Sequence, residues 1–337
     1  MRIPACGWRD HTLGGGDMFD VLGGKSLAAK IFGSPIYLTQ NFVRPYVNRR
    51  RRAKSGHLFV VDINSWVGLF AHLEWFLEVA LHCEQNGLTP CFMSTSRQYV
   101  SSAHGPDWFN YFFINRQLSA EDRERIDSGS VPICRMEGIR QLGLPQDYDS
   151  LLNLEIGAYL VQKYIGVKET VQQKVAEFFD SNLGGKCVLG IHYRGTDKGA
   201  EAPPIAYSQF RKAISSFLQQ NEEFDALFVS SDEQRFVERV EADFSRSLPI
   251  VYHEDLERSH GSVPVHRSKA GNGYRKAEEA IVNCLLLAQC NALLKNASYL
   301  SAWSKLFNPK LRVVFLNPPF ADQLWFPERD LLDQCIT

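Results

Sequence analysis

A chain of 337 residues is long for one hydrophobic core, and at roughly 100–200 residues per domain it is expected to hold two. Hydrophobic residues make up 45% and charged residues 22%, ordinary globular values that exclude a largely disordered chain. The formal net charge of −1, from 37 Lys and Arg against 38 Asp and Glu, excludes a global field for nucleic acid or an anionic membrane and leaves a small molecule as the default substrate.

Residues 1–56 are rich in Gly and poorly periodic, and MRIPACGWRDHTLGGG has no apolar stretch of signal-peptide length. Gly24-Lys25-Ser26 resembles the end of a phosphate loop, but Phe19 stands where that pattern needs glycine and no strand precedes it. The run Arg49-Arg50-Arg51-Arg52-Ala53-Lys54 offers peripheral contact with phosphate or an anionic lipid surface; its plainer reading is a solvated loop. From His57 the pattern is clear: strand HLFVVDI, a loop over 64–68, helix LFAHLEWFLEVALHCEQNG and strand TPCFMS form a βαβ unit. The most apolar run, Val67 to Leu81, is interrupted by His72, Glu74 and Glu78, and nothing approaches a membrane span. Residues 98–170 read as aromatic-rich loops such as DWFNYFFIN and helices, ending in LLNLEIGAYLVQKYI.

A second alternating series follows the segment GVKETVQQKVAEFFDSNLG. It runs strand KCVLGIHY, helix YSQFRKAISSFLQQN, strand ALFVSSDE, helix EQRFVERVEADF, strand PIVYHE, a mixed polar loop, helix RKAEEAIVNCLLLAQC, strand ALLKN, helix SYLSAWSKLF and strand RVVFLNPP. Strands alternating with helices imply parallel doubly wound sheets, because parallel strands need crossover connections. The expected architecture is α/β, with two Rossmann-like domains, 1–168 and 169–337, facing each other across a cleft. The eight cysteines form no CxxC pair and read as reduced thiols in a cytoplasmic protein, where the formal glycosylation acceptor Asn296-Ala297-Ser298 has no consequence.

In such sheets ligands bind beyond the carboxyl ends of the strands. There the second series places His192, Arg194, Asp197, Lys198 and Glu201, then Ser230, Ser231 and Asp232, then Asn296, Ser298 and Tyr299. Arg and Lys beside hydroxyls and helix-starting amides suit a diphosphate, since the guanidinium fork bonds two oxygens at once. Taken singly, each block also reads as a salt bridge or a helix cap. No GxGxxG or HExxH is present, no DxD stands at a strand end, and His253, His260 and His266 lack metal-ligand spacing, so no metal and no cofactor are expected.

At these residues the sequence resembles the fucosyltransferase superfamily that includes core α1,6-fucosyltransferases, nodulation fucosyltransferases and protein O-fucosyltransferases. The resemblance spans roughly Lys186 to Pro318 and rests on HYRGTDK at 192–198, FVSSDE at 228–233, and the stretch from Gly273 through Asn283 and Ser298 to WSKLFNP. It implies a two-Rossmann, GT-B, inverting and metal-independent glycosyltransferase. The donor, GDP-fucose in first place, would sit in the C-terminal domain, and a glycan or other hydroxyl acceptor mainly in the N-terminal one. It implies Arg194, assisted by Lys198, on the leaving phosphate. Glu201 stands near the family's general base but one residue closer to the HxR block, with Asp197 and Asp232 as rivals. His192, Arg275, Glu279, Tyr299 and Gly68 complete the expected substrate contacts, Gly68 as a loose counterpart of the family's Gly-rich loop. Asn283 stands where the core α1,6 enzymes carry an Asp that reads guanine, which keeps a UDP-sugar open as donor. An inactive sugar-nucleotide-binding module and a sugar-nucleotide epimerase are the rival readings.

Overall fold

The computed structural model describes residues 56–144, 146–195, 198–254, 258–259 and 272–332. The chain divides between Gly56 and His57, and everything below concerns the unit that begins at His57. The run Arg49 to Lys54 lies outside the described residues.

Strand β1 (Leu58–Asp62) is buried at all five positions. A strand buried on both faces belongs inside a parallel, helix-covered sheet. Helix α1 (Leu69–Asn86) follows and stops at Gly87, whose φ of 60° places it in the left-handed region that glycine enters without strain. Strand β2 (Thr89–Met93) returns parallel to β1, Leu58 opposite Thr89 and Asp62 opposite Met93. The segment expected to be aromatic loops is core instead. It forms α2 (Phe109–Phe112) and β3 (Phe113–Asn115), and Trp108, Phe109, Phe112 and Phe113 are fully buried. Phe76 of α1 packs on Phe92 and Phe109 with ring centroids 4.9 and 5.2 Å apart. Asn115 then uses its side-chain amide as a strand partner, accepting from Phe92 N–H (2.8 Å) and donating to the Phe92 carbonyl (3.0 Å).

Next come α3 (Ala120–Asp127), β4 (Ile133–Cys134), α4 (Met136–Gln141), α5 (Gln146–Asp149), α6 (Leu154–Tyr164) and β5 (Ile165–Val167). The first sheet is parallel with order β2-β1-β4, and β3 and β5 form a separate antiparallel pair.

The second sheet carries α7 (Glu169–Leu183), β6 (Val188–Tyr193), α8 (Tyr207–Gln220), β7 (Ala226–Ser231), α9 (Gln234–Phe244), β8 (Ile250–Val251), α10 (Gly273–Gln289), β9 (Ala292–Lys295), α11 (Tyr299–Phe307), β10 (Arg312–Phe315) and α12 (Glu328–Leu332). Its order is β10-β9-β6-β7-β8, and every pairing is parallel. The expected α/β architecture with two parallel sheets is the one observed. The chain winds from β6 to β8 in one direction and then resumes at β9 on the other side of β6. The topological switch therefore lies between β6 and β9, where open α/β sheets form their ligand crevice.

The two sheets are joined closely around α10, α11 and α12. At Gly273 a Cβ would lie 2.5 Å from the Gln98 carbonyl oxygen, so the first residue of α10 has room only for hydrogen there. Tyr274 stacks on His104 at 3.9 Å and 11°. The residues expected merely to interrupt an apolar run are buried at this joint: His72 is 0% exposed, Glu74 5% and Glu78 1%.

Candidate active site

The switch point brings the loops after β6 and β9 side by side, and Asn296 fixes the first of them. Its amide donates to the Arg194 carbonyl (2.7 Å) and its Oδ1 accepts from Arg194 N–H (2.9 Å), so both backbone groups of the arginine are clasped by one side chain. Asp232, beyond β7, accepts from Gly195 N–H at 3.3 Å. A Cβ at Gly195 would stand 2.0 Å from Glu233 Oε1 and 2.7 Å from a Tyr193 ring carbon, so a side chain there would require these to move. Ser231 accepts from Glu233 N–H (3.1 Å), a local turn bond of the kind expected at a helix start. His192 is buried in β6, opposite Ser230 and Lys295 in the two neighbouring strands.

Arg194 is half-buried. Burial pushes the Tyr99 hydroxyl well above its usual range, against the Leu69 N–H and the Arg194 guanidinium, which both favour its ionised form. Tyr99 thus lies at the N-terminus of α1 and within the field of Arg194. That helix is 18 residues long, begins after the exposed Gly68, and has open space where a Gly68 Cβ would be. A guanidinium and a helix N-terminus are each chemistry suited to an anion.

The loop that leads into α1 is pinned from below. Asp62 accepts from Thr95 N–H (3.0 Å) and Thr95 Oγ1 (2.9 Å), and Asn64 donates to Thr95 Oγ1 (3.1 Å). Ser96 Oγ donates to the Ser65 carbonyl at 2.8 Å. His72 lies beneath, edge-on to Tyr99 and Trp108, its pKa lowered to about 4 by burial against the opposing carbonyls of Ser65 and Gly68. It is a neutral imidazole at physiological pH.

Asp197 lies outside the described residues. Lys198 opens a 3₁₀ turn, Lys198–Ala200, and its side chain is likewise outside the description. Glu201 follows, half-buried, with its carbonyl accepting from Phe320 N–H (2.8 Å), so the loops after β6 and β10 are tied at this residue. Tyr299, at the start of α11, has its hydroxyl pushed far up by burial and by the carboxylates of Glu74, Glu328, Asp149 and Glu201. Glu201 and Arg194 therefore flank the switch point from the same loop. The Ser298 side chain is fully buried, and its N–H donates to Glu328 Oε1 at 2.6 Å.

On α10 the exposed Arg275 pairs with Glu279 (2.7 Å). Asn283 donates back to the Glu279 carbonyl (2.9 Å), while its buried Oδ1 has no hydrogen-bond partner among the described residues. Sequence reasoning missed Arg258, whose loop reads as solvated. It is 8% exposed, lies over the Tyr252 ring at 5.3 Å, and is close enough to Glu279 for that carboxylate to favour its charge. Tyr99 was missed as well, and no local pattern marks it.

A second polar group lies where α1, α5, α11 and α12 meet. Carboxylate oxygens of Glu74, Glu78 and Asp149 lie within 4.8 Å of one another, the one group so spaced among the described residues. Arg329 pairs with Asp149 (2.6 Å) and Lys295 with Glu328. Arg329 pairs with Asp330 as well (2.9 Å), so two cations face five carboxyls. Burial foremost, then neighbouring carboxylates, raises Glu74 well above its ordinary range and Glu78 to about 10, so both are held neutral.

No protein-family model matches the chain, and no curated protein does. Several solved structures are similar to it. NodZ alpha-1,6-fucosyltransferase soaked with GDP-fucose is 16% identical over 74% of this chain and 93% of that one, with a TM-score of 0.49. A mutant of Arabidopsis thaliana FUT1 in complex with GDP is 12% identical over 88% and 78%, with a TM-score of 0.48. POFUT1 in complex with GDP-fucose is 9% identical over 77% and 97%, with a TM-score of 0.47. Likeness at this level transfers no residue role.

Proposed function

We propose that this chain is an inverting glycosyltransferase that moves a sugar from a nucleoside diphosphate donor to an acceptor hydroxyl, with fucose from GDP-fucose as first choice. One observation supports the reading: Arg194 has its backbone clasped by Asn296 at the topological switch point, and its charge acts on Tyr99, whose hydroxyl accepts from the Leu69 N–H at the start of α1. In this reading residues 169–337 hold the donor and residues 1–168 mainly the acceptor.

The chemistry follows from the charges. The acceptor oxygen bonds to the anomeric carbon while the bond from that carbon to the diphosphate oxygen breaks on the opposite face. Negative charge grows on the leaving phosphate, where a fixed cation and helix dipole act without reorganising. Arg194 and α1 supply that field, with Lys198 assisting. The acceptor hydroxyl's proton passes to Glu201. Glu279 and Asn283 face the base, with Arg275 held by Glu279. Asn283 offers one acceptor where a carboxylate offers two, which favours a uridine donor as the second reading.

The same charges support metal-independent transfer. Transfer from GDP-fucose is expected to survive exhaustive EDTA treatment. Loss on chelation, restored by Mg²⁺ or Mn²⁺, would contradict that part of the reading. A cytoplasmic location belongs to the proposal too; no helix among the described residues is long and apolar enough to cross a membrane.

A further inference from the structure

Helix α10 starts against the turn that follows β2 of the first sheet. Asn272 caps it, accepting from Tyr274 N–H at 2.9 Å. Gly273 comes next, where a Cβ would stand 2.5 Å from the Gln98 carbonyl oxygen and 3.1 Å from Tyr99 Cα. Tyr274 then stacks face to face on His104, with ring centroids 3.9 Å apart and an interplanar angle of 11°, and its ring lies 5.0 Å from that of Phe112. One helical turn along, the Tyr274 hydroxyl donates to Glu278 (3.0 Å), and Lys174 of α7 pairs with the same carboxylate (2.5 Å).

The turn that presents His104 is itself braced. Ser101 and Gly105 form an isolated bridge, and His104 N–H donates to the Ser101 carbonyl at 3.0 Å. The Tyr111 hydroxyl accepts from Ser101 N–H (3.0 Å) and donates to the Gly105 carbonyl. His104 is therefore an exposed side chain on a fixed backbone.

Arg275, Glu279 and Asn283 are spaced one turn apart and share a face of α10, beside the face that carries Tyr274 and Glu278. A slide or rotation of the first turns would move both faces together. In the proposed transfer reaction the face with Asn283 meets the nucleobase. Asn283 Oδ1 is buried with no hydrogen-bond partner among the described residues. A base N–H satisfies it only within the narrow range of distance and angle that a hydrogen bond allows.

We infer that His104 and Tyr274 are positioning residues for the donor's base: through their stack, the braced turn after β2 holds the first turns of α10 in register, so part of the nucleotide affinity is set from the first sheet. This rests on the proposed donor reading and adds to it two residues that act through the helix.

The test is calorimetry of GDP, UDP and inorganic pyrophosphate on full-length wild type, His104→Ala and His104→Phe. Pyrophosphate probes the phosphate end alone, and the exposed His104 can change without opening the core. Loss of the stack should weaken the nucleotide that wild type prefers by about two- to tenfold and leave pyrophosphate affinity unchanged. His104→Phe keeps a flat ring over Tyr274 and should bind like wild type. Equal losses for nucleotide and pyrophosphate would mark a general structural effect and overturn the inference. Undiminished nucleotide affinity in His104→Ala, or a loss that His104→Phe does not restore, would overturn it as well. Should His104→Ala not fold, Tyr274→Leu removes the stack from the other side and is judged by the same criteria. Wild type that binds neither GDP nor UDP sinks the donor reading and this inference with it, whereas wild type that binds one of them no better than His104→Ala does sinks this inference alone.

Discussion

The two parallel sheets use polar residues at their strand ends for different ends. In the first, side chains bond to one another and to nearby loops: Asp62 to Thr95, Ser94 to the Ile63 carbonyl, Asp107 to Ser94 N–H. The result is a pinned rim carrying an exposed aromatic. In the second, Asn296 and Asp232 bond to the backbone of the residues that carry or adjoin the charge, Arg194 and Gly195. The difference is that side chains of the first edge brace one another, whereas those of the second brace the backbone beside a cation. An arginine whose backbone is fixed on both sides loses less freedom when it binds an anion.

That contrast can be broken at several points. The largest effect is expected at Glu201, on the charged edge. Glu201→Gln keeps the size and removes the proton acceptor, so transfer should fall by roughly 10²–10⁴ while donor affinity by calorimetry is unchanged. An unchanged rate would move the base to Asp232 or to Asp197. Affinity and rate lost together would make Glu201 a donor ligand.

Asn296→Ala removes both bonds of the clasp and leaves Arg194 N–H and C=O to find other partners. A loss of about 1–3 kcal/mol in stability is expected, together with a rate deficit that high donor concentration does not restore. Normal kinetics in a folded variant would mean that the backbone clasp does not aim the arginine.

A change on stability alone, with no effect on transfer, sharpens the joint between the sheets. Glu78 titrates near 4.5 when unfolded and near 10 in the fold, so between those values the folded form holds the extra proton. Stability is therefore highest below the unfolded value and falls as pH rises through this window. Glu78→Gln cannot ionise and should lessen that slope, Glu74 keeping the rest, in denaturation midpoints measured from pH 6 to pH 9. An unchanged slope would place the titration elsewhere. His72 acts in the opposite sense, its depressed pKa withdrawing stability as pH falls from 6.5 toward 4.

Much of the second half was legible because each strand is a short apolar run whose polar residues begin where pairing stops, as in VLGIHY followed by Arg194. Periodicity carries that information locally. The first half was harder, because its decisive contacts are between residues far apart in the chain. Glu74 and Glu78 read as breaks in an apolar face, since nothing nearby announces that Asp149 meets them. Tyr99 has no signal of its own until Arg194 arrives from the other sheet. The aromatic run from Trp108 to Phe113 lacks both helical and strand periods because it turns from helix to strand midway, so it passes for a loop while being core. Strand β8 shows the reverse error: PIVYHE reads as a full strand, but only Ile250 and Val251 pair at the sheet edge.

The central claim is that Arg194 and the N-terminus of α1 grip the donor's diphosphate, and calorimetry of GDP against GMP on wild type and Arg194→Ala tests it most directly. Wild type should prefer GDP, Arg194→Ala should bind the two nearly alike, and Arg194→Lys should recover part of the preference, because an ammonium supplies charge without the fork. A folded Arg194→Ala protein that keeps the full preference for GDP would contradict the account.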